Sequence, residues 1–220
     1  MDRMSRIARL VVIDCPHHIT QRGNRGQRVF FSDADYRNYL TLLGKWSKRA
    51  GLAIWSFCLL PNHIHLIGIP QTERSLNGAL REAHRRYACL INDREGLQGS
   101  LWQGRFFSFP MDEAHTWNAL HYIESNPVRA GLVERSEDWP WSSAVARMDS
   151  DHEWNALLSP LPDHLAASPV GGCLEQFAKK FARHEFTGRP LGSDVFIKSL
   201  ESQYQRPLAP QKRGPKPPDN

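Results

Sequence analysis

The chain has 220 residues, 40% of them hydrophobic and 23% charged, with ten Phe and seven Trp, so it carries enough apolar material for one large domain and global disorder is excluded. Lys and Arg outnumber Asp and Glu by 28 to 23, a formal charge of +5 that favours an anionic partner such as nucleic acid. No apolar run approaches the roughly 20 residues that a bilayer span needs, so no membrane partner is expected.

At the start of the chain, the apolar stretch at residues 7–13 is broken by Arg9 and closed by Asp14, which does not read as a signal peptide. The four cysteines, at 15, 58, 89 and 173, include no C-x-x-C pair, so neither a zinc knuckle nor a disulfide framework is expected and a reducing cytoplasm fits. Residues 9–22 collect β-branched and aliphatic side chains around Pro16 and predict one interrupted strand or two short ones. A glycine-broken basic loop follows at residues 22–28. Ser32 offers an N-cap, and the spacing of Tyr36, Leu40, Leu43 and Trp46 predicts a helix running to Gly51. Residues 52–60 and 63–69 read as strands joined by Pro61-Asn62, an antiparallel hairpin.

Residues 74–95 place Leu76, Leu80, Ala83, Tyr87, Leu90 and Ile91 on one stripe of a second helix, with Arg81 and Arg85 off it. A short strand is expected at residues 101–107. Asp112 and Glu113 then open a third helix that Pro127 is expected to end. The order β-α-β-β-α-β-α predicts an α+β fold, its first six elements being the split β-α-β, ferredoxin-like arrangement with helices on one face of an antiparallel sheet. Weaker patterning and prolines at 160, 162 and 169 suggest a boundary near residue 150. The division expected is a catalytic domain at 1–150, a small helical C-terminal extension at 151–204, and a disordered, proline-rich basic tail at 205–220.

Chemistry concentrates in two places. In His63-Ile64-His65 the period of a strand sends both imidazoles to one face, where two neutral rings can hold a divalent ion; a half-exposed sheet face carries the same pattern without any metal. In the third helix, Trp117, Leu120 and Ile123 form the apolar stripe, whereas His115, Asn118, Tyr122 and Asn126 gather on the other side. Tyr122 is thus expected to point into a wet site with Asn126 one turn on. Tyr87, on the apolar stripe of its helix, is expected in the core. His84, His121 and His152 have no partner identifiable by spacing.

The segment Leu60-Pro61-Asn62-His63-Ile64-His65-Leu66 resembles the His-hydrophobic-His strand of the single-tyrosine HUH transposases. The segment Tyr122-Ile123-Glu124-Ser125-Asn126-Pro127-Val128-Arg129 resembles the tyrosine helix of their REP-associated branch. Thr20-Gln21-Arg22-Gly23-Asn24-Arg25, Leu101-Trp102-Gln103-Gly104-Arg105-Phe106 and Asp138-Trp139-Pro140-Trp141-Ser142-Ser143 are similar to linking segments of that family. The resemblance implies the HUH endonuclease fold, Mg²⁺ or Mn²⁺ held by His63, His65 and Asn126, and Tyr122 as nucleophile. Glu124 is the reserve ligand should the helix distort before Pro127.

It implies, further, cleavage and strand transfer on single-stranded or hairpin-forming repeat DNA through a 5′-phosphotyrosine, by a monomer or homodimer in a bacterial cytoplasm, associated with the nucleoid. Arg22, Arg25, Arg28, Arg81, Arg85, Arg86 and Arg105 are candidate DNA contacts, with Trp102 or Phe106 stacking on bases. Trp139 and Trp141 are expected to close the core. Two rivals stand beside this reading: a DNA-binding regulator that no longer cleaves, and a phosphodiesterase that uses water and forms no adduct.

Overall fold

The computed structural model describes residues 8–166 and 174–209. Strand β1 (His17–Arg22) leads into α1 (Asp33–Ala50), followed by the hairpin of β2 (Leu52–Leu60) and β3 (His63–Pro70), then α2 (Ser75–Glu95), β4 (Phe107–Pro110) and α3 (Glu113–Glu124). The four strands form one antiparallel sheet in the order β2-β3-β1-β4, the ferredoxin-like arrangement expected from the element order. α1 begins where its capping signals lie. Asp35 accepts hydrogen bonds from the backbone N–H groups of Phe31 and Ser32, and Gly51, at φ 66°, closes the helix in the left-handed region.

Strand alternation gives the sheet two different faces. Ile19, Ile54, Phe57, Leu59, Ile64 and Leu66 point toward α1 and α2 and share a core with Tyr39, Leu43, Leu80 and Tyr87. Burying each aliphatic side chain there contributes about 1.5–3 kcal/mol. The other face carries Cys58, Leu60, Ile67 and Phe109 and is covered by α3 and by α7 (Leu174–Thr187). Helices therefore lie on both faces, because the third helix and the extension supply a layer that the six-element unit lacks.

Three expected elements move. Only the second half of residues 9–22 is strand: Asp14 turns the backbone at φ 56°, and Leu10 and Val12 pack with Leu200 and Leu208 instead. The fourth strand begins at Phe107, since Gly104 (φ 67°) breaks the segment before it and Leu101, Trp102 and Phe106 turn into the core. Pro127 does not end α3. It sits in the first turn of α4 (Asn126–Arg129), where a missing N–H costs nothing, after α3 has stopped at Glu124.

Beyond α5 (Ser143–Met148) the chain stays on the same core. Trp154 packs beside Trp141, and Ser159 N–H donates to the Ile54 carbonyl at 2.7 Å along the outer edge of β2. After α6 (Asp163–Ala166) and α7, Leu191 pairs with the end of β4 and leads to α8 (Asp194–Tyr204). Residues 205–209, expected as the beginning of a disordered tail, are instead tied down: Leu208 is buried, and Arg189 donates to the carbonyls of Leu208 and Ala209 at 2.6 Å. The remainder of the expected tail, 210–220, and Cys173 lie outside the described residues. Among the described residues no helix is long and apolar enough to cross a membrane.

Candidate active site

The site is built on the sheet face beneath α3 and α7. In the β1–β3 register Arg22 stands opposite His63, Thr20 opposite His65 and His18 opposite Ile67, so all of these point to one side. The rings of His63 and His65 meet edge to face, 4.9 Å between centres. His63 Nδ1 lies 2.6 Å from the Asn62 side-chain oxygen, which can only accept, so Nδ1 carries the proton and Nε2 keeps its lone pair. Burial, helped by the charge of Arg22, lowers the pKa of His63 to about 4. Burial first, then the neighbouring His63, His18 and Arg129, holds His65 well below its ordinary value. Both rings are therefore neutral at pH 7, the form that binds a metal.

His65 has a second neighbour. Its Nδ1 lies 3.0 Å from Nε2 of His18, a fully buried ring set between Phe109 and Phe181 whose pKa burial lowers to about 3. Glu185, from α7, brings Oε1 to 3.6 Å from His65 Nδ1 and 3.7 Å from His18 Nε2. Burial raises that carboxyl to about 7 against the pull of Arg22 and Arg129.

Tyr122 reaches the same place from α3. Its ring stands perpendicular to His65 at 6.4 Å, and Phe181 and Phe177 of α7 cover it at 4.8 and 6.1 Å. Tyr122 is only 8% exposed. The wet site expected from the helix pattern is thus corrected: the side of α3 that carries Tyr122 faces the sheet, and α7, some 50 residues later, roofs it. The Tyr122 hydroxyl makes no hydrogen bond among the described residues. The Arg129 guanidinium lies over the ring, 4.4 Å from its centre.

Asn126, buried at the start of α4, has an amide nitrogen with no hydrogen-bond partner. Glu124 points elsewhere and is occupied, its Oε1 accepting from Ser143 Oγ at 2.6 Å and Arg147 Nε at 2.9 Å. His63 Nε2 and the neutral His65 offer lone pairs that suit a divalent ion, and Asn126 would add its side-chain oxygen, the one atom of its amide that can ligate. Tyr87 is a core residue, fully buried, with its hydroxyl donating to the Val29 carbonyl at 2.7 Å.

The basic candidates divide. Arg22 lies in the site, and Arg25, Arg28 and Arg105 are exposed on neighbouring loops, the last reached through Gln103 N–H, which donates to the Arg22 carbonyl at 2.8 Å. Arg81, Arg85 and Arg86 lie on α2, across the sheet from His65, grouped around Glu82. Trp102 and Phe106 are buried, and the Trp102 indole N–H donates to the His84 carbonyl, so they serve the core and not base stacking. Trp139 and Trp141 pack there as expected. His84, without a partner by spacing, pairs with the Tyr39 hydroxyl at 2.9 Å.

The family model described as "Transposase IS200 like" matches residues 11–126, just over half of the chain, and that stretch holds both His63-Ile64-His65 and Tyr122. The chain belongs to the IS200-like transposase family. A Haemophilus influenzae protein provisionally named a REP-associated tyrosine transposase is 33% identical over 100 residues, 40% of this chain and 56% of that one. The REP-associated tyrosine transposase of Escherichia coli K12 is 29% identical over 92 residues, 40% of this chain and 52% of that one. The chain therefore spans about half the length of the curated relatives it matches. A solved REP-associated tyrosine transposase bound to a REP hairpin shares the fold, with a TM-score of 0.56 at 22% identity over 77% of this chain and 95% of that one.

Within this IS200-like transposase, sequence reasoning missed His18, Arg129 and Glu185. His18 had a legible signal, since it stands two and four residues before Thr20 and Arg22 on the same strand and so shares their face. Arg129 lies within the tyrosine-helix motif, where spacing alone assigns it no role. Glu185 had none, because only the tertiary placement of α7 brings it to the sheet.

Proposed function

We propose that this IS200-like transposase is a metal-dependent single-strand DNA endonuclease and strand transferase acting on hairpin-forming repeat DNA, with Tyr122 as nucleophile and His63, His65 and Asn126 as metal ligands. The observation that carries the reading is the convergence of Tyr122 from α3 and Arg129 from α4 on the face of β3 that displays His63 and His65. The kinship of the relatives with REP elements supports the choice of substrate.

In this reading the Tyr122 oxygen attacks phosphorus in line and gives its proton to solvent, while the bond to the 3′ oxygen breaks and that oxygen takes a proton from solvent, leaving a 3′-OH. The phosphodiester energy is kept in the phosphotyrosine, so the 3′-OH of another strand can attack it and rejoin DNA without ATP. Mg²⁺ or Mn²⁺, when bound, withdraws charge from the scissile phosphate and so favours attack by a phenol. Arg22 and Arg129 place positive charge beside the same phosphate. His63 is held by Asn62 in the tautomer that leaves Nε2 free. Arg25, Arg28 and Arg105 bind the DNA backbone around the site.

The test is incubation with labelled hairpin DNA and Mn²⁺. A denaturation-resistant adduct on wild type, absent from Tyr122→Phe and from His63→Ala, is the expected result. Cleavage with no adduct would indicate attack by water, and hairpin binding with neither would indicate a regulator.

A further inference from the structure

The structure assigns a second metal site to this chain: His18 Nε2, His65 Nδ1 and Glu185 Oε1 form a three-ligand site for a borderline transition ion such as Zn²⁺, separate from the His63 side of the centre. The ligand atoms are mutually spaced at 3.0, 3.6 and 3.7 Å. Donors around a tetrahedral Zn²⁺, bonded at about 2.0–2.2 Å, sit roughly 3.3–3.6 Å apart, so the triangle needs adjustments of only a few tenths of an ångström. Two imidazoles and one carboxylate suit Zn²⁺ and disfavour Mg²⁺, which takes oxygen ligands.

A second observation is independent of the spacing. Glu185 Oε1 is buried and makes no hydrogen bond, a costly state for a carboxylate and one that an ion removes. Both imidazoles are neutral, and each supplies a lone pair once the proton now shared between His18 Nε2 and His65 Nδ1 moves to the outer nitrogen of its own ring. Phe109 and Phe181 keep water from the inner side of His18, while the Glu185 side chain, 21% exposed, leaves an entry path and an open fourth position.

The ligands come from β1, β3 and α7, so an ion here ties the C-terminal extension to the sheet. It also binds His65 through Nδ1, which puts the remaining ring proton on Nε2. That nitrogen then has no lone pair for an ion shared with His63, so the two uses of His65 exclude each other.

Co²⁺ is the probe, titrated into the full-length, metal-free protein. Wild type should develop the strong visible absorption of tetrahedral Co²⁺, which one equivalent of Zn²⁺ abolishes. His63→Ala should keep the band, and Glu185→Gln and His18→Gln should lose it. Zn²⁺ should raise the Tm of wild type and His63→Ala, and leave that of Glu185→Gln unchanged. A band that survives Glu185→Gln, vanishes in His63→Ala, or never forms on wild type would overturn the assignment. Because Glu185 is partly exposed, its variant keeps the test valid even if His18→Gln fails to fold. The readout is binding, so it stands whether or not the chain cleaves DNA.

Discussion

Arg129 Cζ lies 4.4 Å from the centre of the Tyr122 ring, seven residues away along a chain that changes helix between them. Had α3 continued without a break, residues seven apart would lie two turns apart along one face. The stop at Glu124 and the restart at Asn126 fold Arg129 back over the ring. A guanidinium in that position contributes about 0.5–2 kcal/mol to holding the ring and adds charge where a phosphate would dock. Arg129→Ala should lower single-turnover adduct formation by about 100-fold, by analogy with removal of one positioned donor at a developing charge. Arg129→Lys should recover part of the loss, because it keeps the charge without the planar stack. Equal rates for wild type and Arg129→Ala would leave Arg129 a packing role only.

The two tyrosines near the sheet should respond oppositely to loss of one oxygen. Tyr122→Phe removes a hydroxyl with no hydrogen bond among the described residues, so the variant should fold with near wild-type stability and bind hairpin DNA, yet form no adduct. Tyr87→Phe removes the bond to the Val29 carbonyl. It should lower stability by about 1 kcal/mol in urea denaturation and leave adduct formation intact. Peptide mapping that found the nucleotide on Tyr87 would reverse the assignment.

The division of the arginines predicts a difference in salt dependence. Neutralising Arg22, Arg25 and Arg28 together should weaken hairpin binding and flatten the plot of log affinity against log salt, since fewer counterions are released. Neutralising Arg81 and Arg85, which lie across the sheet and already face Glu82, should leave the slope nearly unchanged. Matching slopes for the two variants would mean that DNA wraps both faces.

Local rules made the sheet legible. Ser32 and Gly51 bracket α1, Pro61-Asn62 turns the hairpin, and the alternation about Ile64 puts both histidines on one face. What escaped was set by distant packing. Tyr122 looked solvent-facing because an amphipathic pattern reports one apolar stripe, whereas α3 is sandwiched and the second cover, Phe177 and Phe181, is encoded some 55 residues away. Trp102 and Phe106 looked available to bases because a strand was expected there, and the left-handed Gly104 turns them inward instead. Residues 205–209 read as tail because nothing in their composition reveals the pocket that Leu10, Val12 and Leu200 make for Leu208.

The last prediction concerns Asp35, which joins the first turn of α1 to the last turn of α2. Its carboxylate is fully buried, caps α1 through the N–H groups of Phe31 and Ser32 at 2.8 and 3.0 Å, and receives Arg94 NH2 at 3.0 Å. Burial works against its ionisation, but the bonds from Arg94 and the two backbone donors prevail, and its pKa falls below the ordinary 3.8. A carboxyl whose folded pKa is depressed contributes its stability in full above the unfolded value and loses it as pH falls through the folded one. Asp35→Asn keeps the shape and one acceptor but not the charge, so at pH 7 it should be less stable by about 2 kcal/mol, the scale of hydrogen bonds to a charged group. As the pH falls from the ordinary 3.8 toward the lower folded value, unfolded wild type takes up a proton that the folded form still refuses, so the advantage shrinks, whereas the variant has nothing there to titrate. The gap between the two in urea denaturation should therefore narrow toward pH 3. A gap of constant size from pH 7 to pH 3 would mean that shape, and not charge, is what Asp35 contributes to the junction of α1 and α2.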